Sequence, residues 1–584
     1  MPLLLSISNL GVSFGKGKEK TVAVSNLSLD LRKGELLAIV GESGSGKSVT
    51  ALSLLRLLPK QSTITGHAFL YRWEEQPLDL VQIPQSEIND VRGAEIAMIF
   101  QEPMTSLNPV FSCGYQVMES IRLHQGVNKK IARQKAIELF EQVKLPDPKN
   151  ILKRYPHELS GGQKQRVMIA MAMSSNPALL IADEPTTALD VTVQKNILEL
   201  IRQLQKKNNM GVIFITHDLG IVADIADKIV VMHKGEAVEQ GIARDVLSDP
   251  KHPYTKALLA CRPASNPKGK RLPVVSDFLG TDETPVIGHS SLAIEKSNDD
   301  ELHIATRNPQ TSDTRPPILQ VSNLTVRFPV KRNLFGKAVQ FFNAVDDVSF
   351  EVMPGDILGL VGESGCGKTT LGRAIMQLVR PTSGSIILNG EDISRIKSPS
   401  LRSLRKDFQI VFQDPYGSLN PRISIGEAIL EPLKVHGMLN SNNERREKVI
   451  ELLGKVNLKP DHFNRYPHQF SGGQRQRICI ARALALEPKF LVFDESVSAL
   501  DVSVQAQVLN LLSDLKTEFG FTSIFISHDL SVVHYICNRI LVMQQGKIVE
   551  EGSADQVYYN PINEYTKKLV AAIPGKSLLK PAHV

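Results

Sequence analysis

Two short stretches of the chain carry residues whose types and spacing suit polyphosphate. Gly41-Glu42-Ser43-Gly44-Ser45-Gly46-Lys47-Ser48 follows the apolar run Leu36-Leu37-Ala38-Ile39-Val40. Gly362-Glu363-Ser364-Gly365-Cys366-Gly367-Lys368-Thr369 follows Ile357-Leu358-Gly359-Leu360-Val361. The glycines let the backbone curl into a nest of N–H groups. The lysine reaches the β- and γ-phosphates, and the hydroxyl of Ser48 or Thr369 is a ligand for Mg²⁺. A helix opening at the lysine aims its positive end at the same anion. This chemistry is nucleoside triphosphate binding, present twice.

Four further groups recur behind each loop. Asp183-Glu184 and Asp494-Glu495 close apolar runs that read as buried strands. Ligands of open α/β sheets sit at the carboxyl ends of strands, so these acids face the loops. Asp183 and Asp494 are expected to hold Mg²⁺, directly or through water, and Glu184 and Glu495 to act as general base toward an attacking water. His217 and His528 follow the next strand, where an imidazole can reach the γ-phosphate or orient the water. Gln101 and Gln413 follow Ile99-Phe100 and Val411-Phe412. An amide there can touch metal and water while belonging to a neighbouring helical region, as a hinge would. Finally, Ser160-Gly161-Gly162-Gln163 and Ser471-Gly472-Gly473-Gln474 open helices and expose backbone N–H groups, a second anion site. One domain has no second phosphate cluster to place there, so this segment is expected to bind the γ-phosphate held by the other domain.

Positioning these groups requires parallel strands with helices between them. Short apolar runs alternate with helical stretches in each copy, the pattern of an α/β sheet. Leu179 to Ala182, Val212 to Ile215, Phe490 to Phe493 and Ser523 to Ile526 read as buried parallel strands. The regions from about Arg92 to Asn176 and Leu404 to Glu487 are longer and helix-rich, and are expected to be helical subdomains inserted into the nucleotide core.

The two copies are a tandem duplication. From the Ser-Gly-Gly-Gln segments onward the offset settles at 311, through Asp183/Asp494, Asp190/Asp501 and His217/His528. The expected domains are 1–263 and 318–584; two copies of about 260 residues make a tandem of domains and no solenoid. Residues 264–317 between them are rich in Pro, Ser, Thr, Asn and Asp and are expected to be a flexible connector. The basic Lys268-Gly269-Lys270-Arg271 and the acidic Asp299-Asp300-Glu301 both fall within it.

Bulk properties exclude several classes. The 584 residues are 42% hydrophobic and 22% charged, with a net charge of +7, ordinary for a globular protein. No apolar run approaches the ~18 residues that span a bilayer, and Leu3-Leu4-Leu5 is too short for a signal-peptide core. The chain is therefore expected to stay in the cytosolic compartment. Its five cysteines are scattered, arguing against a disulfide framework or zinc knuckle. Cys366 stands where the first loop has Ser45. A tolerated small residue is the preferred explanation; the alternative is a reactive thiol, since a thiol at a helix N-terminus tends toward a low pKa.

This ordered set of motifs resembles the ATP-binding-cassette (ABC) family over nearly the whole chain outside the connector. The resemblance implies an α/β fold: two tandem ABC nucleotide-binding domains, each a RecA-like core with an antiparallel β subdomain and an inserted helical subdomain. It further implies a head-to-tail sandwich enclosing two ATP. Lys47, Ser48, Gln101, Asp183, Glu184 and His217 would then work with Ser471, Gly472 and Gly473. Lys368, Thr369, Gln413, Asp494, Glu495 and His528 would work with Ser160, Gly161 and Gly162. Asp190 and Asp501 would communicate across the interface, and Phe14 and Phe328 would stack on adenine.

The segments Gln101-Glu102-Pro103-Met104-Thr105-Ser106-Leu107-Asn108-Pro109 and Gln413-Asp414-Pro415-Tyr416-Gly417-Ser418-Leu419-Asn420-Pro421 are similar to those of oligopeptide, dipeptide and nickel importer ATPases. So are the tails Pro250-Lys251-His252-Pro253-Tyr254-Thr255 and Pro561-Ile562-Asn563-Glu564-Tyr565-Thr566. The resemblance implies an energy-coupling subunit for import of peptides or peptide-like solutes. Its partners would be two transmembrane permease subunits and an extracytoplasmic solute-binding protein, at the cytoplasmic face of the inner membrane, touching the membrane only through the permeases. In such systems the segment after the glutamine meets a short helix of each membrane subunit. Many unfused relatives carry a cysteine cluster after the tail; here only Cys261 lies there, so no iron–sulfur cluster is expected. Ser496 replaces Pro185 but leaves Asp494 and Glu495 intact. A soluble tandem cassette acting on ribosomes or DNA is the alternative. It is disfavoured by the absence of a long charged helical linker, zinc modules or a basic–aromatic stripe.

Overall fold

The computed structural model describes residues 2–15, 20–72, 75–101, 106–187, 189–279, 315–333, 335, 338–396, 398–498 and 500–578. The chain forms two compact units. The centre of the connector (280–314) and the Glu102-Pro103-Met104-Thr105 part of the segment after Gln101 lie outside the described residues.

The first unit is built on two sheets. Strands β1 (Leu3–Phe14), β2 (Thr21–Arg32), β4 (Ser62–Leu70) and β5 (Leu78–Asp79) form an antiparallel sheet in the order β2-β1-β4-β5. The central sheet comprises β3 (Leu36–Val40), β6 (Ile96–Ile99), β7 (Leu179–Asp183), β8 (Gly211–Thr216), β9 (Lys228–His233) and β10 (Glu236–Ile242). Its order is β10-β9-β3-β8-β7-β6, parallel from β9 to β6 with β10 antiparallel at the edge.

Every residue of β3, β7 and β8 is buried, as a parallel sheet covered on both faces demands. Side chains alternate between two cores. Leu37, Ile39, Leu179, Ile181, Ile213 and Ile215 pack with the antiparallel sheet and α1 (Lys47–Leu54). Leu36, Leu180, Ala182, Val212 and Phe214 pack with the inserted helices. These are α2 (Cys113–Gln125), α3 (Lys129–Gln142) and α4 (Gly161–Ala172). Their starts are fixed by Ser112, Asn128 and Ser160, whose side chains accept from backbone N–H groups of the first turn. Helices α5 (Val191–Asn208), α6 (Leu219–Ile225) and α7 (Pro253–Ala260) complete the unit.

The second unit repeats this plan. β11 (Leu319–Arg332), β12 (Ala338–Val352), β14 (Ser383–Leu388) and β15 (Glu391–Asp392) form its antiparallel sheet. β13 (Ile357–Val361), β16 (Phe408–Val411), β17 (Phe490–Asp494), β18 (Thr522–Ser527), β19 (Arg539–Gln544) and β20 (Lys547–Ser553) form the central one.

Two expectations about boundaries need correction. β6 and β16 fall inside the stretches expected to be helical insertions, yet they are edge strands of the central sheets. Each is only four residues long, too short for its period to separate it from a helix.

The connector was also expected to begin at 264. Instead Ala260 onward belongs to the second unit, while Pro574–Leu578 belongs to the first. Leu272 is 1% exposed, and its backbone N–H and C=O pair with the side-chain amide of Asn510 at 3.0 and 2.8 Å. The Tyr535 hydroxyl donates to Lys270 O at 2.8 Å, and Arg271 pairs with Asp514 at 2.9 Å. In the first unit the position of Tyr535 is taken by Asp224, whose carboxylate accepts from Gly575 N at 3.0 Å. Each unit is thus completed by a segment that follows the other copy in sequence. Among the described residues no helix is long and apolar enough to cross a membrane.

Candidate active site

The first phosphate loop connects β3 to α1 at the carboxyl end of the central sheet. Gly46 takes φ 101°, and a Cβ there would lie 2.6 Å from Ala23 O, so only glycine fits. Its Cβ position is also 3.3 Å from Val24 of β2, so the antiparallel sheet backs the loop. Lys47, 5% exposed, donates from Nζ to Gly41 O at 2.7 Å and Glu42 O at 2.8 Å. Lys368 repeats both contacts, with Gly362 O at 2.8 Å and Glu363 O at 2.9 Å. Ser43, Gly44, Ser364 and Gly365 are exposed at the loop crests. A buried ammonium within a ring of glycine-turned backbone fits a polyphosphate.

The hydroxyls and acids meet as expected. Ser48 Oγ donates to Asp183 Oδ1 at 3.0 Å, and Thr369 Oγ1 to Asp494 Oδ1 at 3.0 Å. Hydroxyl and carboxylate oxygens are hard donors of the kind Mg²⁺ prefers. Burial pushes the Asp183 carboxyl up to about 6, with the Ser48 hydrogen bond opposing, and pushes Asp494 up likewise.

Glu184 and Glu495 gather the remaining groups. Gln101 Nε2 donates to Glu184 Oε2 at 3.0 Å, and Gln413 Nε2 to Glu495 Oε2 at 2.9 Å. His217 Nδ1 lies 3.4 Å from Glu184 Oε1, and His528 Nδ1 3.4 Å from Glu495 Oε2. Burial alone would raise Glu184. The hydrogen bond and charge of His217, with Thr187 and Lys47, outweigh it and hold the carboxyl at about 2. Glu495 is lowered in the same way: burial opposes, and His528 with Lys368 prevails. Both glutamates also take left-handed backbone, φ 44° and 47°, rare for a side chain of this size. Such strain collects where a side chain must be aimed.

The Ser-Gly-Gly-Gln segments do open helices, α4 and Gly472–Leu484. Ser160 Oγ accepts from Gln163 N, while Gln163 Oε1 accepts from Ser160 N at 3.1 Å. Ser471 and Gln474 form the same box. A Cβ on Gly162 or Gly473 would meet Val193 or Val504 at 2.6 or 2.3 Å, so these glycines let the helix pack against the one following Asp190 or Asp501. Asp190 caps α5, accepting from Val193 N at 2.9 Å. Phe14 ends β1, half-buried against the core, and Phe328 on β11 is 40% exposed.

The family model described as ABC transporter matches residues 24–187 and 345–498. The chain belongs to the ABC transporter family. A second model, the C-terminal region of oligopeptide/dipeptide transporters, matches residues 238–278. The glutathione import ATP-binding protein GsiA of Escherichia coli (strain K12) is 50% identical over 578 residues, 98% of this chain and 89% of the relative. GsiA of Salmonella typhimurium is 50% identical over 574 residues, with the same coverage of each chain. Among solved structures, cbiO1 from Clostridium perfringens, part of the ABC transporter complex cbiONQ, is 26% identical with a TM-score of 0.37. It covers 42% of this chain and 92% of its own. This ABC transporter chain is an ATP-hydrolysing, energy-coupling subunit of an importer of the oligopeptide/dipeptide group.

Cys366 is buried, and burial pushes its thiol up, opposite to the lowering a reactive thiol at a helix N-terminus would need; it sits as a small packed residue. Ser496 Oγ is buried without a hydrogen-bond partner, yet Asp494 and Glu495 keep the same hydroxyl, amide and imidazole neighbours as the first copy. Two features were not read from the sequence: the left-handed glutamates, and a contact of Tyr254 and Tyr565 with the phosphate loops. The recurring tyrosine at an offset of 311 was the available signal for the second.

The buried Asp183 predicts a measurable cost in the nucleotide-free protein. Its folded pKa, about 6, lies above the ordinary aspartate value of 3.8. Stability linked to its proton is therefore full below 3.8 and lost as pH rises through 6. Asp183→Asn should raise the unfolding free energy in EDTA by up to about 3 kcal/mol at pH 8. The gain should shrink below pH 6 and vanish near pH 4. Denaturant titrations across this range check it; a gain independent of pH would contradict the assignment.

Proposed function

We propose that this chain drives uptake of glutathione or a peptide of similar size, hydrolysing ATP at two sites that each draw on both copies. The observation that carries the cargo assignment is identity of 50% to glutathione import proteins across both copies and the connector. In this reading Lys47 and Lys368 neutralise the phosphates, and the exposed N-termini at Ser160 and Ser471 bind the γ-phosphate of the opposite copy's ATP. Mg²⁺ held by Ser48, Gln101 and Asp183, or Thr369, Gln413 and Asp494, would neutralise charge on the phosphate oxygens. Glu184 and Glu495 take the proton of the attacking water, His217 and His528 orient them, and Phe14 and Phe328 stack on adenine.

The low pKa of Glu184 sharpens the role of the base. An acid held at about 2 is always ionised but weakly basic. An incoming γ-phosphate adds negative charge and raises that pKa. Basicity thus arrives with the substrate.

The membrane partners in this reading are two permease subunits, with a solute-binding protein outside, placing the chain at the cytoplasmic face of the inner membrane. A groove of about 380 Å³ in the second unit supports this docking. It is lined by Phe408, Phe412, Glu431, Val435 and Arg482, between β16 and the inserted helices, and suits a short amphipathic helix.

Cells lacking the chain should lose uptake of labelled glutathione. The native chain should restore it, and a chain with Glu184→Gln and Glu495→Gln should not. Undiminished glutathione uptake without the chain would overturn the cargo; loss of dipeptide uptake alone would move it to peptides.

A further inference from the structure

The tail segment around Tyr254, matched by the C-terminal-region model, has so far had no part in the chemistry. In the structure it reaches the phosphate loop. The Tyr254 hydroxyl accepts from Glu42 N–H at 3.0 Å and lies 3.3 Å from Glu42 Oε2, to which it donates. In the second unit the Tyr565 hydroxyl accepts from Glu363 N–H at 2.9 Å. The phenols are 0% and 8% exposed. The Tyr254 ring packs 4.1 Å from His233, the residue after Met232, whose carbonyl blocks any Cβ at Gly41.

The contacted residue is the one that holds the lysine. Glu42 gives its N–H to Tyr254 and its carbonyl to Lys47 Nζ at 2.8 Å. Glu363 gives its N–H to Tyr565 and its carbonyl to Lys368 Nζ at 2.9 Å. The tyrosine is itself anchored. Glu239 on β10 accepts from the backbone N–H groups of Lys251 and His252 at 2.7 and 3.1 Å. Glu550 on β20 does the same for Ile562 and Asn563, at 2.8 and 3.0 Å. A strand carboxylate fixes a turn, the turn fixes a phenol, and the phenol fixes one residue of the loop. The device is the same in both units although the turns read Lys-His-Pro and Ile-Asn-Glu.

We propose that Tyr254 and Tyr565 are positioning residues for nucleotide binding: each buried hydroxyl holds the second residue of its phosphate loop in the shape that receives phosphate. A phenylalanine would fill the same space, so what the hydroxyl adds is the loop contact. The effect belongs to binding more than to turnover, because the loop touches phosphate before and after cleavage alike.

The proposal rests on reading Gly41 to Ser48 as the phosphate loop, and the test separates the two. In the full chain, Tyr254→Phe should weaken MgADP at one of two sites by about fivefold, one neutral hydrogen bond's worth, in calorimetric titration. With Tyr254→Phe and Tyr565→Phe together, KM for MgATP should rise about fivefold while kcat stays within twofold. The nucleotide-free unfolding midpoint should hold within about 2 °C, since packing is kept. Lys47→Ala is the control. If it leaves MgADP binding intact, the phosphate-loop reading fails. If it weakens binding and Tyr254→Phe does not, or if Tyr254→Phe lowers only the unfolding midpoint, the positioning role is overturned.

Discussion

Replacing Glu184 and Glu495 together by glutamine lowers steady-state ATPase activity by about a hundredfold or more, while MgATP affinity stays within a few-fold. The magnitude is that of a lost general base. Glutamine keeps the size and hydrogen-bonding reach of glutamate, so Gln101 at 3.0 Å and Gln413 at 2.9 Å retain a neighbour through an amide flip. What is lost is a site for the water's proton. Single-turnover phosphate release checks the chemical step, and equilibrium titration with MgATP checks binding. Full activity in the double variant would remove both glutamates from the mechanism. The single variants need not match. Glu184 accepts from Thr187 Oγ1 at 2.9 Å, whereas the matching Ser498 Oγ donates to the backbone carbonyl of Glu495 at 2.8 Å, so the two carboxylates are not hydrogen-bonded alike.

Much of this site could be read before any coordinates. Its components are tied to short local patterns: glycines that must turn, a lysine that opens a helix, acids at the end of an apolar strand. Their recurrence at one offset ties them to one another. What escaped depends on partners distant in sequence. Asn510 reads as an ordinary residue of Val502–Phe519, and only the fold brings it to Leu272, 238 positions earlier. The stretch after Ala260 looks like connector because Leu272 and Val275 are its few apolar anchors, too sparse to show a period. β6 and β16 were hidden by their brevity. The left-handed turn at Glu184 has no signature in residue type, since glutamate is not a residue that seeks φ above zero. At Cys366 the rule about helix N-termini supported only the alternative of a reactive thiol, and burial, which the fold sets, removes it.

The proposed head-to-tail pairing makes the second large prediction, because it assigns the effect of a substitution to the opposite half of the chain. Ser160 and Ser471 are exposed, and each hydroxyl is closed in a box with its own glutamine. The free first-turn amides, next to exposed Gly161 and Gly472, suit an anion brought from outside the unit. In a chain already carrying Glu184→Gln and Glu495→Gln, ATP is held long enough for photolabelling with an azido-adenine analogue. A protease site placed within 280–314 then separates the halves for scoring. Ser471→Arg blocks the amides of the second copy. It should cut labelling of the N-terminal half, which holds Lys47 and Phe14, at least tenfold relative to the C-terminal half. Ser160→Arg should reverse the ratio. If each domain instead completed its own site, Ser471→Arg would deplete the C-terminal half, where Ser471 itself resides. Equal loss in both halves from either substitution would show closure failing as a whole, without pairing Ser471 to Lys47. The crossed ratio alone makes each phosphate loop one side of a site whose other side lies in the opposite copy, 424 positions after Lys47 and 208 before Lys368.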